Sequence, residues 1–318
     1  GPFGAGSASN DRPRSSPPPR RFMDREAAQT EAIAFSRPRA FYELTKPGIA
    51  GYVTITAGVS AFVSARGELP LAVALHTMLG VGLATAGALT LNQYVEREAD
   101  AVMHRTRGRP IPTGRVAPME ALGFGATLML AGVVYLAAAL GALPALLTAA
   151  SAVMYHAVYT PLKTRSYVAT LAGAVPGALP MLIGWTAASG TIDRGGAALF
   201  LIGYLWQLPH VLGLAWMLRE DYARVGFTLI PAGGARSIGV QMVGAVALLV
   251  PVSWAPTLLG YTGTPYAVGA TILGLVFLGA AVSAAREMTD ERARRVFLFS
   301  LLYQPLLLGL MLFDTIRS

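Results

Sequence analysis

The sequence predicts an all-α, polytopic membrane protein, and three observations predict it. Only 13% of the 318 residues are charged while 54% are hydrophobic, against about 25% charged in a soluble domain. The apolar residues gather into nine runs of roughly the 20 residues a helix needs to cross a bilayer. The basic residues alternate in density between successive loops, as the positive-inside rule requires of a multi-pass chain.

Residues 1–36 form a polar tail around Ser15-Ser16-Pro17-Pro18-Pro19-Arg20-Arg21. It has too little apolar surface to offset its ordering entropy and is expected to be disordered. It also lacks the apolar h-region of a cleaved signal. The membrane domain is expected over 37–318, its core beginning near Phe41. The expected spans are 48–65, 70–94, 118–140, 143–160, 168–189, 197–218, 237–257, 265–285 and 296–316. Pro161, Pro231 and Pro265 fall at or near predicted ends, where proline does least harm. Pro176, Pro180 and Pro209 fall inside spans; they free backbone carbonyls and bend helices, which neighbours must accommodate.

With nine spans, all but three of the 25 Lys and Arg (Arg66, Arg194 and Arg317) lie on the side of the N-terminal tail. That side is expected to be cytoplasmic, with the C-terminus opposite. The net charge of +8 therefore reads first as topogenic, and no nucleic-acid partner is expected. With no cysteine, disulfide and thiolate chemistry are excluded.

The loop after the second span is the most polar part of the chain. Asn92, Glu96 and Asp100 follow one another at i, i+4 and i+8, one above the other on a helix face. Two carboxylates so placed repel unless a cation sits between them. Mg²⁺ prefers oxygen ligands and is commonly held by one or two carboxylates plus substrate phosphates. Arg105, Arg107 and Arg109 follow, and the planar guanidinium grips two phosphate oxygens at once. Taken alone, the loop is equally a helix end with snorkelling charges. Two more polar pieces lie on the same side: Tyr159-Thr160-Pro161-Leu162-Lys163-Thr164-Arg165 after the fourth span, and Arg219-Glu220-Asp221-Tyr222 after the sixth. Acids and bases converging at one membrane face suit a diphosphate whose lipid tail lies between the helices.

The pattern N-x3-E-x3-D with R-T-x2-R-P over Asn92–Pro110 resembles the first motif of the UbiA-type intramembrane prenyltransferases. Leu44-Thr45-Lys46-Pro47, Tyr159-Thr160-x-Leu162-Lys163, Gly173-x2-Pro176-Gly177-Ala178-x-Pro180, Leu208-Pro209-His210 and Asp221-Tyr222 resemble the heme O synthase (protoheme IX farnesyltransferase) branch. The resemblance runs from about residue 41 to the C-terminus. It implies nine helices around a central cavity open to lipid in the inner membrane. It also implies farnesyl transfer from farnesyl diphosphate to the 2-vinyl group of heme b, with water added, to make heme O. Mg²⁺ would be held by Asn92, Glu96, Asp100 and Asp221, the catalytic set. Arg105, Arg109, Lys163, Lys46, Arg165, Tyr159 and Tyr222 would face the diphosphate. His210, and more weakly His156, would contact heme; His104 and His76 carry no such expectation. Partners would be membrane lipid and a heme A synthase or terminal oxidase assembly that receives the product. Glu96 departs from the Asp usual in the family, and Asp221 lacks a second acid four residues away. The rival readings are a UbiA-type enzyme with an aromatic or quinone-precursor acceptor, and a membrane transporter. A transporter would carry charges deep in its spans, and these spans are nearly uncharged.

Overall fold

The computed structural model describes residues 37–315. The chain divides into a unit of Gly1–Arg39 and a unit of Ala40–Ser318. Residues 37–39 of the first are helical, and everything below concerns the second. The expectation for the tail falls on residues 1–36, outside the described residues.

Among the described residues nine helices are long and apolar enough to cross a membrane: α1 (Pro47–Ser64), α2 (Leu71–Val95), α3 (Pro118–Leu140), α4 (Ala142–Leu162), α5 (Val168–Ser189), α6 (Arg194–Met217), α7 (Gly234–Leu258), α8 (Thr264–Arg286) and α9 (Asp290–Thr315). No strand occurs among them. The protein is therefore an all-α, multi-pass membrane protein.

The starts of α6 and α9 lie ahead of expectation, and capping explains both. α6 begins at Arg194 because Asp193 accepts the backbone N–H groups of Gly195 and Gly196 at 2.9 and 3.0 Å, satisfying donors that a helix start leaves orphaned. α9 begins at Asp290, six residues before the apolar run. Thr289 accepts the Arg292 N–H at 3.2 Å, Asp290 and Glu291 lie in the positive first turn, and acids there are favourable.

The fourth span departs from the regular helix expected over 143–160. Met154–Tyr159 is a π-turn inside α4. The cause stands one turn on. Pro161 has no N–H, and its ring would press on the carbonyl four residues back. The widened turn sends the Thr160 N–H five residues back, to the Tyr155 carbonyl, which also accepts the Thr160 hydroxyl at 2.9 Å. Pro251 and Pro305 also lie inside helices, beyond those singled out from the sequence.

Small residues set a close crossing between α2 and α3. A Cβ on Gly87 or Gly132 would overlap the backbone of the facing helix at Met129 or Ala84. α2 and α3 therefore meet backbone to backbone, the usual geometry where water supplies no drive for helix association. α5 is the most buried span and packs on α1, α4 and α6. The principal core, with Trp185, Trp206, Phe277 and Tyr303, joins α5 to α9. Leu75, Val134, Val240, Ile272 and Leu302 point outward and are exposed, as lipid-facing positions are. At the end away from the charged loops, buried Asp314 accepts the backbone N–H groups of Gly263 and Tyr266 and so caps α8.

Candidate active site

A cavity of about 660 Å³ opens among the helices, with charged residues at one end and apolar walls below. Asn92, Glu96, Asp100, Lys46, Arg105, Arg109 and Lys163 line the charged end; Val81, Thr148 and Ile183 lie at the other.

Lys46 enters this end through an unusual backbone. It sits at φ 46°, ψ 64°, in the left-handed region that side chains avoid, and Pro47 disfavours the right-handed alternative. Its carbonyl accepts the first N–H groups of α1, from Ile49 and Ala50, at 2.9 and 3.0 Å. Its ammonium donates to Asn92 Oδ1 at 3.2 Å. Burial, then the Arg109 charge, bring its pKa down to about 7.

α2 ends at Val95, and a short helix, Arg97–Val102, follows the bend at Glu96. Two i→i−4 bonds meet at the bend, from Glu96 N–H to Asn92 O at 2.9 Å and from Asp100 N–H to Glu96 O at 2.8 Å. Asn92, Glu96 and Asp100 therefore share one wall despite the break. Glu98 is exposed and pairs only with Arg97. Each acid on the wall has its own cation. Glu96 pairs with Lys163. Asp100, fully buried, accepts from Arg109 at 2.6 Å through Oδ2.

The π-turn delivers the opposite wall. Tyr155 and Tyr159 both line the cavity, their rings 5.5 Å apart. The Lys163 ammonium lies 4.4 Å from the Tyr159 ring centre and 5.5 Å from that of Phe227. Burial opposes the Lys163 charge, but Tyr159 and the Glu96 carboxylate outweigh it and the pKa is raised. Gly173 is required here, since a Cβ would come within 2.7 Å of the Tyr159 ring. The carbonyl of Lys163 accepts the N–H and hydroxyl of Thr228, at 2.6 and 3.2 Å.

Asp221 stands outside this cluster. It is not on the cavity wall; its two oxygens accept the backbone N–H groups of His104 and Arg105, both at 3.3 Å. Those two bonds outweigh desolvation and lower its pKa. Its neighbour Tyr222 does line the cavity, and burial raises its pKa. Arg165 is exposed and off the wall. His210 is on the wall, between Trp206 and Leu214 of α6. His156, within the π-turn, is off it.

The residues on the wall suit a hard divalent cation. Their donors are oxygens, and Asp100 Oδ1 is buried with no hydrogen-bond partner among the described residues. Among the described residues no three acids or histidines come close enough to hold a metal by themselves. A cation here would complete its shell from substrate phosphates, as Mg²⁺ usually does.

Tyr155, Trp206 and Gln207 also line the cavity and were not singled out from the sequence. Trp206 had a signal, one turn before His210; Tyr155 had none, because a regular helix would aim it elsewhere.

The sequence model of the UbiA prenyltransferase family matches residues 52–303. The chain is 43% identical over 287 residues to the protoheme IX farnesyltransferase of Solibacter usitatus, covering 87% of this chain and 98% of that one. It is 44% identical over 273 residues to that of Salinibacter ruber, covering 85% and 96%. Among solved structures, a digeranylgeranylglyceryl phosphate synthase superposes with a TM-score of 0.76 at 18% identity, over 89% of this chain and all of that one. A UbiA homolog from Archaeoglobus fulgidus bound to GPP and Mg²⁺ gives 0.58 at 12%, over 88% of this chain and all of that one.

Proposed function

Since the chain belongs to the UbiA prenyltransferase family and is a prenyltransferase, we propose that it transfers a farnesyl group from farnesyl diphosphate to the 2-vinyl group of heme b, with addition of water, to make heme O. The names of its relatives support heme as acceptor. The observation that carries the reading is the polarity of the cavity: acids and four cationic side chains at one end, an apolar shaft below, and a histidine between aromatic rings on its side. Asn92 lies eleven residue steps from Val81 along α2, about 16 Å of helix. The farnesyl chain, at about 3.5 Å per three extended bonds, needs roughly 14 Å.

Asn92, Glu96 and Asp100 would hold Mg²⁺. Bound there, the ion would supply charge neutralisation for the diphosphate. Lys46, Arg105, Arg109 and Lys163 draw the diphosphate to the charged end and stabilise the negative charge that grows as the allylic C–O bond breaks. Stabilisation of this kind in a dry site is usually the largest catalytic contribution. The bonding pair leaves with the diphosphate. Tyr155, Tyr159, Tyr222 and Phe227 present ring faces to the allylic cation. The vinyl π-pair forms the new C–C bond, and water captures the cation beside the porphyrin and releases a proton. Asp221 holds the backbone of His104 and Arg105, and so aims the Arg105 clamp. The charged end faces the cytoplasm of a cell whose inner membrane holds the protein, and a heme A synthase or terminal oxidase assembly receives the product.

Purified protein incubated with heme b, farnesyl diphosphate and Mg²⁺ is expected to yield the mass of farnesylated, hydrated heme. Asp100→Asn is expected to lower the rate by roughly 10²–10³ with heme binding intact. Prenylation of an aromatic acid in place of heme would refute the acceptor.

A further inference from the structure

His210, on the cavity wall, could meet a heme substrate through either ring nitrogen. The contacts around it decide this. His210 Nδ1 lies 2.9 Å from the Ser300 hydroxyl on α9. The same hydroxyl lies 2.5 Å from the Phe297 carbonyl oxygen. A carbonyl cannot donate, and a serine hydroxyl carries one proton. That proton goes to Phe297, the i−3 back-bond common for serine in helices. Toward His210 the Ser300 oxygen has only a lone pair to offer, so Nδ1 must carry the hydrogen. A neutral imidazole has one N–H, which leaves Nε2 bare.

The ring is also fixed in plane and direction. Trp206 stacks on it at 5.1 Å and 22°, and Phe297 lies against it at 4.9 Å and 31°. The Trp206 indole N–H donates to the Ser300 carbonyl at 2.8 Å. Ser300, itself fully buried, thus holds the histidine with its hydroxyl and the flanking indole with its carbonyl. With Nδ1 tied to α9, the opposite edge of the ring is left to the cavity, whose wall His210 forms.

Resting on the reading of heme as acceptor, we propose that Ser300 is a positioning residue: it fixes His210 as the Nδ1–H tautomer and so presents the Nε2 lone pair to the iron of the heme substrate. Histidine ligands to metals generally donate the second ring N–H to a neighbouring acceptor, which sets tautomer and orientation. Here that acceptor is neutral, so the imidazole remains an ordinary neutral donor, suited to a substrate that must leave. The ligand pins the porphyrin at one point, and ring faces on both sides of the histidine limit its swing.

The test uses full-length protein in nanodiscs. Without heme, ¹⁵N spectra of histidine-labelled protein, with the His210 signals assigned by their loss in His210→Ala, are expected to show a protonated Nδ1 and a bare Nε2. An Nε2–H tautomer overturns the proposal whatever the acceptor is. With ferric heme b, Ser300→Ala is expected to weaken heme binding about 10–100-fold and to broaden the electron paramagnetic resonance signal into a mixture. Ser300→Thr, which keeps the hydroxyl, restores both, and farnesyl diphosphate affinity, the folding control, stays unchanged throughout. Wild-type heme affinity and a single wild-type signal in Ser300→Ala overturn the role of Ser300. The same result in His210→Ala overturns His210 as the ligand. Failure of the wild-type chain to bind heme at all overturns the functional reading instead, leaving the tautomer to stand or fall on the ¹⁵N result.

Discussion

Lys46 is a buried cation at the charged end of the cavity. Burial and the neighbouring Arg109 bring its pKa to about 7, so the free enzyme loses this charge as pH rises through that value. A bound diphosphate favours the ammonium and raises the pKa. Binding above pH 7 must then take up a proton, and affinity falls with rising pH by up to tenfold per unit. Farnesyl diphosphate titrations between pH 6 and 9 are expected to show this slope, and Lys46→Met to abolish it; a slope that survives the substitution assigns it elsewhere. The acidic wall was legible because the spacing of Asn92, Glu96 and Asp100 survives the bend at Glu96, where the bonds from Glu96 N–H to Asn92 O and from Asp100 N–H to Glu96 O are both kept. Ser300 was not legible. Its part depends on α6 and α9 meeting at one point, and nothing within nine residues of it in sequence belongs to the cavity except Leu301. Asp221 was legible as a polar residue at the right face, but its engagement with the His104 and Arg105 backbone follows from two loops meeting.

The π-turn in α4 is the element on which the second wall depends. Composition and periodicity gave the span its existence and ends, because both need only apolar length. The extra residue in the turn was invisible to them, since the sequence remains helical in preference across it. Its cause, Pro161, was visible but read only as a terminus. Such turns are uncommon and cluster at functional sites. Pro161→Ala restores the missing donor and allows a regular helix, which would rotate Tyr155 against Lys163 and Glu96. The expected result is a protein at least as thermally stable as wild type but with turnover reduced roughly 10–100-fold, the scale of a 1 Å misplacement. Wild-type turnover together with the same stability would remove the turn from the mechanism.

For the whole molecule, the count and placement of the nine spans among the described residues followed from hydropathy, while the expected side of the membrane rests on charge alone. The chain contains no cysteine, so single cysteines report orientation without background. Gly108→Cys, in the charged loop, is expected to react with a membrane-impermeant maleimide only from the cytoplasmic side. Ile192→Cys, exposed before α6, is expected to react only from the other. The reverse pattern would invert the topology. One residue also joins the site to the loop beyond it. Lys163 holds Glu96 through its side chain and Thr228 through its carbonyl. A shift of the Lys163 backbone therefore reaches both partners. Thermodynamic reciprocity then applies: whatever substrate does to the order of the 228 segment, ordering that segment does to substrate affinity by the same factor. Exposed Thr228 would then offer a second handle on substrate affinity, away from the cavity itself.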